Sequence, residues 1–344
     1  MSVPTDISIP VSSPLEGGQL EDRPGGRLVD YSPTDKPWDL HKAQADQVAV
    51  AYAQTSETVR LAGRVSACSG LLWFEWVRDD QGLLRLKLVS ARFCRGRHCP
   101  ICQWRRALMW QARFLKALPK IQARYPKARW IFLTLTVCNC ALEELRATLQ
   151  AMNQGWKRLL EKQPRKDQRD YTQHGWPALG FVRTTEVTRS DDGTAHPHFH
   201  ALLMVPPAYF GRWYIPQADW VKLWQDTMRL NYVPSVDVRA VKPDRGQSPA
   251  EALRNAAAET LKYSVKPDDL VADPVWLAEL TRQLRHLRFV STGGVLKDVL
   301  HEAEQSKQDL IHPNGEEDSA GEQQLNVLGF DWDRPDQHYR RKFW

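Results

Sequence analysis

The feature that constrains the fold most is an apolar segment that begins with alternating histidines. His196-Pro-His-Phe-His200 leads directly into Ala-Leu-Leu-Met-Val205, and an apolar run of this length predicts a buried strand over 197–205. A second strand is predicted over 179–188. The segment between them, Ser190-Asp-Asp-Gly-Thr194, has the composition of a hairpin turn. Because the link is this short, the two strands must run antiparallel.

The remaining segments alternate between strand and helix patterns. Strands are predicted over 71–77, 83–93, 130–137 and 234–241, and helices over 38–61, 103–124, 141–161, 216–230, 249–265 and 274–286. This order favours an α+β class, with an antiparallel sheet flanked by helices. No apolar run is long enough for a transmembrane span, and no secretory leader is expected, so the predicted location is cytoplasmic.

The charge of the chain is unevenly distributed. The net charge is +6, but residues 1–38 carry −3 and residues 302–344 carry −5, which leaves +14 for the segment between them. The stretch 81–142 has thirteen Lys and Arg residues and no acidic residue. A solvated helix face normally mixes both signs. A run of one sign instead favours a polyanionic partner, and a nucleic-acid backbone is the first candidate.

Composition divides the chain into four parts. Residues 1–37 contain six Pro and four Gly residues and are predicted to be a flexible tail. Residues 38–125 are predicted to be a helical and basic region, and residues 126–301 contain most of the predicted sheet. Residues 302–344 are acidic and are predicted to be a second flexible tail.

The histidines indicate a metal site. Side chains alternate along a strand, so His198 and His200 lie on one face with their backbones about 7 Å apart, and two such imidazoles can bind one divalent ion. His196 shares their parity and is a further candidate metal ligand, but Pro197 cannot donate in a sheet and leaves His196 at the strand entrance. Glu186, across the hairpin, is the predicted third ligand. This set suits Mn²⁺ or Mg²⁺ in phosphate chemistry; the alternative is a group of histidines without a metal.

A second group of residues lies near the end of the helix predicted over 249–265. Glu259, Tyr263 and Lys266 have i, i+4 and i, i+3 spacing, which places them on one helix face. A Tyr hydroxyl can attack a phosphodiester, and a nearby Lys or metal favours its ionisation. A Glu one turn away can activate water for a hydrolytic attack. Alone the pattern is weak, because such Glu and Tyr pairs are common on helix surfaces.

A third group of residues lies in the basic stretch, where Cys99 and Cys102 form a C-x₂-C pair. With Cys94 and a fourth ligand they predict a structural Zn²⁺ site. Cys68 is the predicted fourth ligand and His98 is the alternative. Buried or free thiols are the other interpretation, because stable disulfides are rare in the cytosol.

Cations and an aromatic side chain flank this pair and suit phosphate contact and base stacking. The predicted DNA-binding residues are Arg95, Arg97, Trp104, Arg105 and Arg106. Cys138 and Cys140, which follow the strand predicted over 130–137, have no assigned function.

In their order along the chain, these groups resemble the signature motifs of a known family. Phe132-Leu-Thr-Leu-Thr136, the His198-Phe-His200 strand and Tyr263-Ser-Val-Lys266 are similar to the three motifs of HUH endonucleases, specifically the rolling-circle plasmid replication initiators. A Glu four residues before the Tyr resembles the branch with one nucleophilic Tyr and a helper Glu. The resemblance extends over about residues 60–300 and includes the cysteine arrangement.

The resemblance implies a role for each residue. His198 and His200 would hold the metal that polarises the scissile phosphate. Tyr263 would attack this phosphate, become joined to the DNA 5′ end and release a 3′-OH primer. Glu259 would activate water for the terminating cleavage, and Lys266 would orient the nucleophile or offset charge near it.

The resemblance also implies a fold and a set of partners. The expected fold is an HUH-type antiparallel sheet over 126–301, with a small zinc-binding element inserted on its N-terminal side. The expected partners are plasmid origin DNA, single-stranded or as a hairpin at the nick site, and the host helicase, single-strand-binding protein and DNA polymerase, with no membrane. Two other functions stay open: a transposase or relaxase with the same chemistry, and a non-enzymatic zinc-containing DNA-binding regulator.

Overall fold

A computed structural model describes residues 24–78, 82–161, 178–211, 213–262, 264–301 and 325–343. The strands within these ranges are β1 Leu71–Arg78, β2 Leu84–Ala91, β3 Arg129–Thr136, β4 Gly180–Arg189, β5 Ala195–Val205, β6 Val236–Ala240, β7 Val290–Gly294, β8 Leu325–Asp333 and β9 His338–Lys342. The α-helices are α1 Leu28–Tyr31, α2 Pro37–Ala53, α3 Val59–Ser66, α4 Pro100–Arg124, α5 Leu145–Glu161, α6 Gln217–Met228, α7 Pro249–Thr260, α8 Pro267–Val271, α9 Pro274–Gln283 and α10 Val295–His301. None of these helices is both long and apolar enough to cross a membrane.

The central sheet has the strand order β6-β3-β5-β4-β7. Every neighbouring pair in it is antiparallel. The predicted hairpin is formed by β4 and β5, and its strands are joined by the short turn at 190–194. The prediction of an α+β class, with antiparallel strands flanked by helices, is confirmed.

One face of the central sheet packs on α5 and α6. Phe199 and Leu203 of β5 are fully buried in the same apolar cluster as Trp156 of α5 and Trp224 of α6. The Trp224 indole also donates a hydrogen bond to the carbonyl oxygen of Thr136 at 2.8 Å. This face is therefore closed by large apolar side chains, whose burial stabilises the sheet.

The opposite face packs on α4, α7 and α10 and carries the histidines. Leu202 of β5 lies in a second apolar cluster with Phe114 of α4 and Leu253 of α7. Because side chains alternate along a strand, His198 and His200 continue the row of Leu202 toward the strand entrance. They are 9% and 8% exposed there, so the imidazoles lie at the margin of the core.

A second antiparallel sheet, with the order β2-β1-β8-β9, pairs two strands that precede the central sheet in the sequence with the two C-terminal strands. Phe330 of β8 and Tyr339 of β9 are fully buried in it. The prediction of a flexible tail over 302–344 is therefore wrong for 325–343, because apolar residues of this segment pair with and pack on the N-terminal region. Residues 302–324 lie outside the described residues.

The N-terminal segment also differs from the prediction of a flexible tail over 1–37. Leu28 and Tyr31 of α1 are buried, and the Tyr31 ring meets the Phe330 ring edge-on with centroids 5.3 Å apart. The prediction is thus wrong for the part after residue 24, whose partner lies at the other end of the chain. Residues 1–23 lie outside the described residues.

The helix predicted over 38–61 is two helices, α2 and α3. Thr58 lies between them, and its Oγ1 donates a hydrogen bond to the carbonyl oxygen of Tyr52 at 2.8 Å. Side-chain bonds of this kind compete with the helical hydrogen bonds of the backbone. The chain therefore leaves the helical path after Ala53 and re-enters it at Val59.

Candidate active site

Three potential metal ligands converge near the end of the central sheet. Glu186 of β4 lies directly opposite His198 of β5, and His200 is two positions further along the same face. The Nε2 atoms of His198 and His200 are 3.2 and 2.9 Å from the same oxygen of Glu186, Oε2. The ligand atoms of the three residues all lie within 4.8 Å of one another, so a single ion can contact all of them.

Glu186 carries a negative charge in this setting. Burial alone would raise the pKa of its carboxyl group, but hydrogen bonds from His198 and His200 and the positive charge of Lys262 hold this pKa well below its usual range. The site therefore offers an anionic oxygen between two imidazoles. Two imidazoles and a carboxylate are a donor set that binds divalent ions and leaves positions open for a substrate.

Thr134 of β3 contacts His200 and was not singled out from the sequence. It lies opposite His200 in the β3–β5 register, and its Oγ1 is 3.2 Å from His200 Nδ1. A hydrogen bond at Nδ1 fixes the orientation of the imidazole and leaves Nε2 directed at Glu186. The signal that could have found Thr134 is its alternation with apolar residues in the strand predicted over 130–137.

His196 does not join the three converging residues. It pairs with Thr188 rather than with Glu186, and its ring centroid is 5.4 Å from that of His198. Its carbonyl oxygen instead accepts a hydrogen bond from His198 Nδ1 at 3.3 Å. The expectation that His196 is a metal ligand is therefore wrong for the described geometry, because one more step of two residues along β5 carries the side chain past the site.

The described residues on either side of Tyr263 do not continue α7. The helix ends at Thr260, and Lys266 is the exposed N-cap of α8. The prediction that Glu259, Tyr263 and Lys266 share one helix face is therefore wrong. Tyr263 itself lies outside the described residues.

Hydrogen bonds to β4 explain why the helix ends there. Thr184 Oγ1 donates to the carbonyl oxygen of Thr260 at 2.5 Å, and the backbone N–H of Val187 donates to the carbonyl oxygen of Ser264 at 2.9 Å. These interactions satisfy backbone groups that a longer helix would have paired internally. Thr260 and Ser264 consequently lie at the edge of β4, bonded to residues on either side of Glu186.

Lys262 is a second residue that sequence reasoning missed. Its Nζ lies 2.7 Å from Glu259 Oε1 and 3.5 Å from Glu186 Oε2, so it bridges the two carboxylates. Burial would lower the pKa of Lys262, but hydrogen bonding to Glu259 and the charge of Glu186 raise it. Lys262 is thus a fixed positive charge directly before Tyr263. The i, i+3 spacing of Glu259 and Lys262 was the available signal.

The four cysteines that were predicted to bind zinc lie together, and all of them precede the central sheet in the sequence. Cys68 and Cys94 follow α3 and β2, while Cys99 and Cys102 are at the start of α4. Their sulfur atoms all lie within 4.8 Å of one another, and the Sγ atoms of Cys68 and Cys94 are each 3.7 Å from Cys102 Sγ. Tetrahedral Zn–S bonds of about 2.3 Å separate the sulfurs by about 3.8 Å, which fits this group. The fourth member of the group is Cys68, and not His98.

Arg105 and Trp104, two of the residues predicted to contact DNA, are packed inside the N-terminal region. Arg105 is 7% exposed, and its guanidinium lies 5.1 Å from the centre of the Trp38 ring. Trp104 meets the same ring edge-on at 4.9 Å. The prediction of DNA contact is therefore wrong for Arg105, because its charge is stacked on an indole rather than presented to solvent.

The other three predicted DNA contacts lie in or near the loop between β2 and α4. Arg95 is exposed. Arg97 Nη2 donates to the carbonyl oxygen of Leu287 at 2.5 Å, and Arg106 Nη2 donates to that of Arg95 at 2.7 Å. Arg97 and Arg106 therefore hold this loop in place, whereas the exposed side chain of Arg95 can be reached by a DNA phosphate.

Comparison with known proteins identifies the family. A family model described as replication protein matches residues 85–340 of the chain. The chain is 32% identical to protein rep of Lentilactobacillus hilgardii over 89% of this chain and 95% of that protein. It is also 32% identical to protein rep of Bacillus amyloliquefaciens, over 88% of this chain and 94% of that protein. No solved structure matches the chain. The chain belongs to the replication protein family.

Family membership confirms the resemblance drawn from the motifs, which was to rolling-circle plasmid replication initiators. The chain is a plasmid replication initiator. The matched range contains Glu186, His198 and His200 and all of the four clustered cysteines except Cys68. It continues through β8 into β9. The C-terminal strands are therefore part of the region shared with the family.

Proposed function

We propose that this initiator nicks one strand of the plasmid double-strand origin, with Tyr263 as the nucleophile. The observation that carries the proposal is the setting of the residues on either side of Tyr263. Lys262 is 3.5 Å from Glu186, and Ser264 is hydrogen-bonded to Val187, the residue after Glu186. A Tyr between these two residues is flanked by contacts to β4 at Glu186 and Val187. Glu186, with His198 and His200, offers charge and donor atoms that suit phosphate chemistry.

The proposed step exchanges one phosphodiester bond for another. The Tyr263 oxygen bonds to phosphorus, and the bond between phosphorus and the DNA 3′ oxygen breaks. The 3′ oxygen takes up a proton and becomes the primer, while the 5′ side stays joined to the protein. Lys262 would favour the phenolate, because a nearby positive charge lowers the pKa of a Tyr from its usual value of about 10. Lys266 would offset charge further out.

Glu186, His198 and His200 would hold a divalent ion, Mn²⁺ or Mg²⁺. The ionised carboxylate and the two Nε2 atoms directed at it are a suitable donor set. When bound, the ion polarises the scissile phosphate. Thr134 would keep the His200 imidazole in the orientation that presents Nε2 to the ion.

Glu259 would act in the terminating cleavage. Its side chain is 52% exposed, so water reaches the carboxylate, and the 2.7 Å ion pair with Lys262 holds it near the segment that carries Tyr263. By taking a proton from water, Glu259 would allow the water oxygen to bond to phosphorus at the scissile phosphate without a second Tyr. The bond between phosphorus and the DNA 3′ oxygen would break, and the 3′ oxygen would take up a proton. This role is that of the single-tyrosine branch of the family.

The remaining features would serve DNA binding. Cys68, Cys94, Cys99 and Cys102 would hold a structural Zn²⁺, which stabilises the loop that presents Arg95. The basic stretch would bind origin DNA, single-stranded or as a hairpin. The host DNA polymerase would then extend the free 3′ end in the cytoplasm, with the host helicase and single-strand-binding protein acting on the duplex and the displaced strand.

The decisive experiment is Tyr263→Phe, assayed with labelled single-stranded origin DNA and Mn²⁺. The variant should form no protein–DNA adduct that survives denaturation, yet bind the DNA with nearly unaltered affinity, because the phenol oxygen is the nucleophile and affinity comes from the basic residues. Tyr214→Phe, at a Tyr that is 55% exposed, is the matched control and should form the adduct normally. Full adduct formation by Tyr263→Phe would exclude the assignment, and absence of an adduct in the unaltered protein would favour a DNA-binding regulator.

A further inference from the structure

We propose that Gln103 is a positioning residue for the nicking reaction. It connects Ser264, the residue after Tyr263, to the cysteine group, which is Cys68, Cys94, Cys99 and Cys102. Gln103 directly follows Cys102 in the first turn of α4, and its backbone N–H donates to the carbonyl oxygen of Cys99 at 2.9 Å. Its side chain belongs to a residue only 6% exposed. This inference rests on the proposed role of Tyr263.

The side chain of Gln103 holds Ser264 from one side. Its Oε1 accepts hydrogen bonds from Ser264 Oγ at 2.9 Å and from the backbone N–H of Ser264 at 3.3 Å. On the other side, the carbonyl oxygen of Ser264 accepts from the backbone N–H of Val187 at 2.9 Å. Ser264 is thus fixed between α4 and β4, one residue after Tyr263.

The loop between β2 and α4, which carries Cys94 and Cys99, also connects to β4 through Arg97. Arg97 donates to the carbonyl oxygen of Leu287 at 2.5 Å, and its guanidinium lies 4.4 Å from the centre of the Phe289 ring. The carbonyl oxygen of Phe289 in turn accepts from the backbone N–H of Thr185 at 2.9 Å. The loop and the start of α4 are therefore connected to β4 on both sides of Glu186. One connection reaches Thr185 through Phe289, and the other reaches Val187 through Ser264.

This double anchoring gives the cysteine group a task in the reaction. Attack on phosphorus requires the nucleophile and the scissile phosphate to approach within about 3–3.5 Å, and a displacement of about 1 Å can lower the rate about a hundredfold. Ser264 is the described residue closest in sequence to Tyr263 on its C-terminal side. Loss of the Gln103 contacts would leave Ser264 with the Val187 hydrogen bond but without its hold on α4, while Glu186 and the histidines stay in place.

Gln103→Leu removes the acceptor oxygen and keeps a side chain of similar size. We expect single-turnover adduct formation to fall about tenfold to a hundredfold, with DNA affinity, zinc content and Mn²⁺ affinity unaltered. The matched control is Gln283→Leu, at a residue that is 5% exposed and also uses its amide on backbone groups, those of Arg146 at 3.1 Å and Glu143 at 2.8 Å. Because the hydrogen bonds of Gln283 reach Arg146, Glu143 and Glu279 and none of the described residues next to Tyr263, its loss should lower the melting temperature without a selective loss of rate.

Two further measurements separate positioning from a general loss of structure. Hydrogen exchange of the peptide around 260–266 should accelerate in Gln103→Leu and not in Gln283→Leu. In a double-mutant cycle, Ser264→Ala should add little to Gln103→Leu, because both remove the same hydrogen bond between side chains.

The possible results decide the inference. An unaltered rate in Gln103→Leu, or a rate that falls only in proportion to stability and equally in Gln283→Leu, overturns it. Additive effects of Gln103→Leu and Ser264→Ala would do the same. If instead Tyr263→Phe still forms the adduct, the proposed nucleophile is wrong. The hydrogen-exchange data then still decide whether Gln103 holds the peptide around 260–266, and unaltered exchange in Gln103→Leu would overturn that part.

Discussion

Replacing Thr134 with Val tests whether the His200 imidazole is held in place for a metal ion. Thr134 is partly buried in β3, and Val has the same branched shape, so Thr134→Val removes the hydroxyl with little change in packing. The contact that is lost is the 3.2 Å hydrogen bond between Thr134 Oγ1 and His200 Nδ1. Without it, no hydrogen bond within the described part of the chain holds Nδ1 and thereby selects the tautomer and the ring orientation that direct Nε2 to the ion.

The expected loss of Mn²⁺ affinity is about tenfold. A hydrogen bond contributes about 1 kcal/mol net, or about a fivefold change in a binding constant, and removing the partner of a metal-bound His costs about 10- to 100-fold. Thr134 is partly exposed, so water can replace part of its effect. His200 is only 8% exposed, which limits how far the ring can turn. Both facts favour the lower end of that range.

Calorimetric titration of Mn²⁺ into the protein measures this change directly. The Mn²⁺ concentration needed for nicking should rise by the same factor, while the rate at saturating Mn²⁺ is kept. Thr136→Val is the matched control: Thr136 lies opposite His198 on the same strand, but its hydroxyl donates to the carbonyl oxygen of Ser235 at 2.9 Å. Equal Mn²⁺ affinities in Thr134→Val, Thr136→Val and the unaltered protein would refute the reasoning.

Two other perturbations address the cysteine group and the terminating step. Cys99→Ser should lose about one zinc per chain and unfold locally around 66–106, as shown by metal analysis and limited proteolysis. The exposed Cys138→Ser should keep the zinc, and unaltered protein that carries none would argue against the site. Glu259→Ala should still nick and form the adduct but fail to release product by hydrolysis, which gives over-long products in a replication assay. Equal loss of initiation and termination in a well-folded variant would contradict separate roles for Glu259 and Tyr263.

The face of the central sheet that carries Glu186, His198 and His200 could be predicted because its determinants are local. Alternation places His198 and His200 on one face of any strand, and the short turn at 190–194 sets the register that brings Glu186 opposite them. The observed register pairs Glu186 with His198. The contribution of Thr134 was not visible, because it depends on which strand lies on the other side of β5.

The environment of the charged and terminal segments could not be predicted from composition. The acidic character of 302–344 suggested a tail, but burial there depends on a few residues such as Phe330 and Tyr339, whose partners are at the other end of the chain. Likewise, a run of basic residues does not distinguish an exposed guanidinium such as that of Arg95 from one stacked on an indole, as at Arg105.

The most instructive difference concerns the residues around Tyr263. The spacing from Glu259 suggested a shared helix face, yet β7 pairs with β4 only as far as Thr184, and the strand edge beyond that point still has backbone donors to satisfy. The N–H of Val187 binds the carbonyl oxygen of Ser264, and the chain leaves the helix in order to reach it. Glu186 and the tyrosine-bearing segment therefore share one strand edge, and backbone hydrogen bonds, rather than side-chain spacing on a helix, determine how far apart they lie.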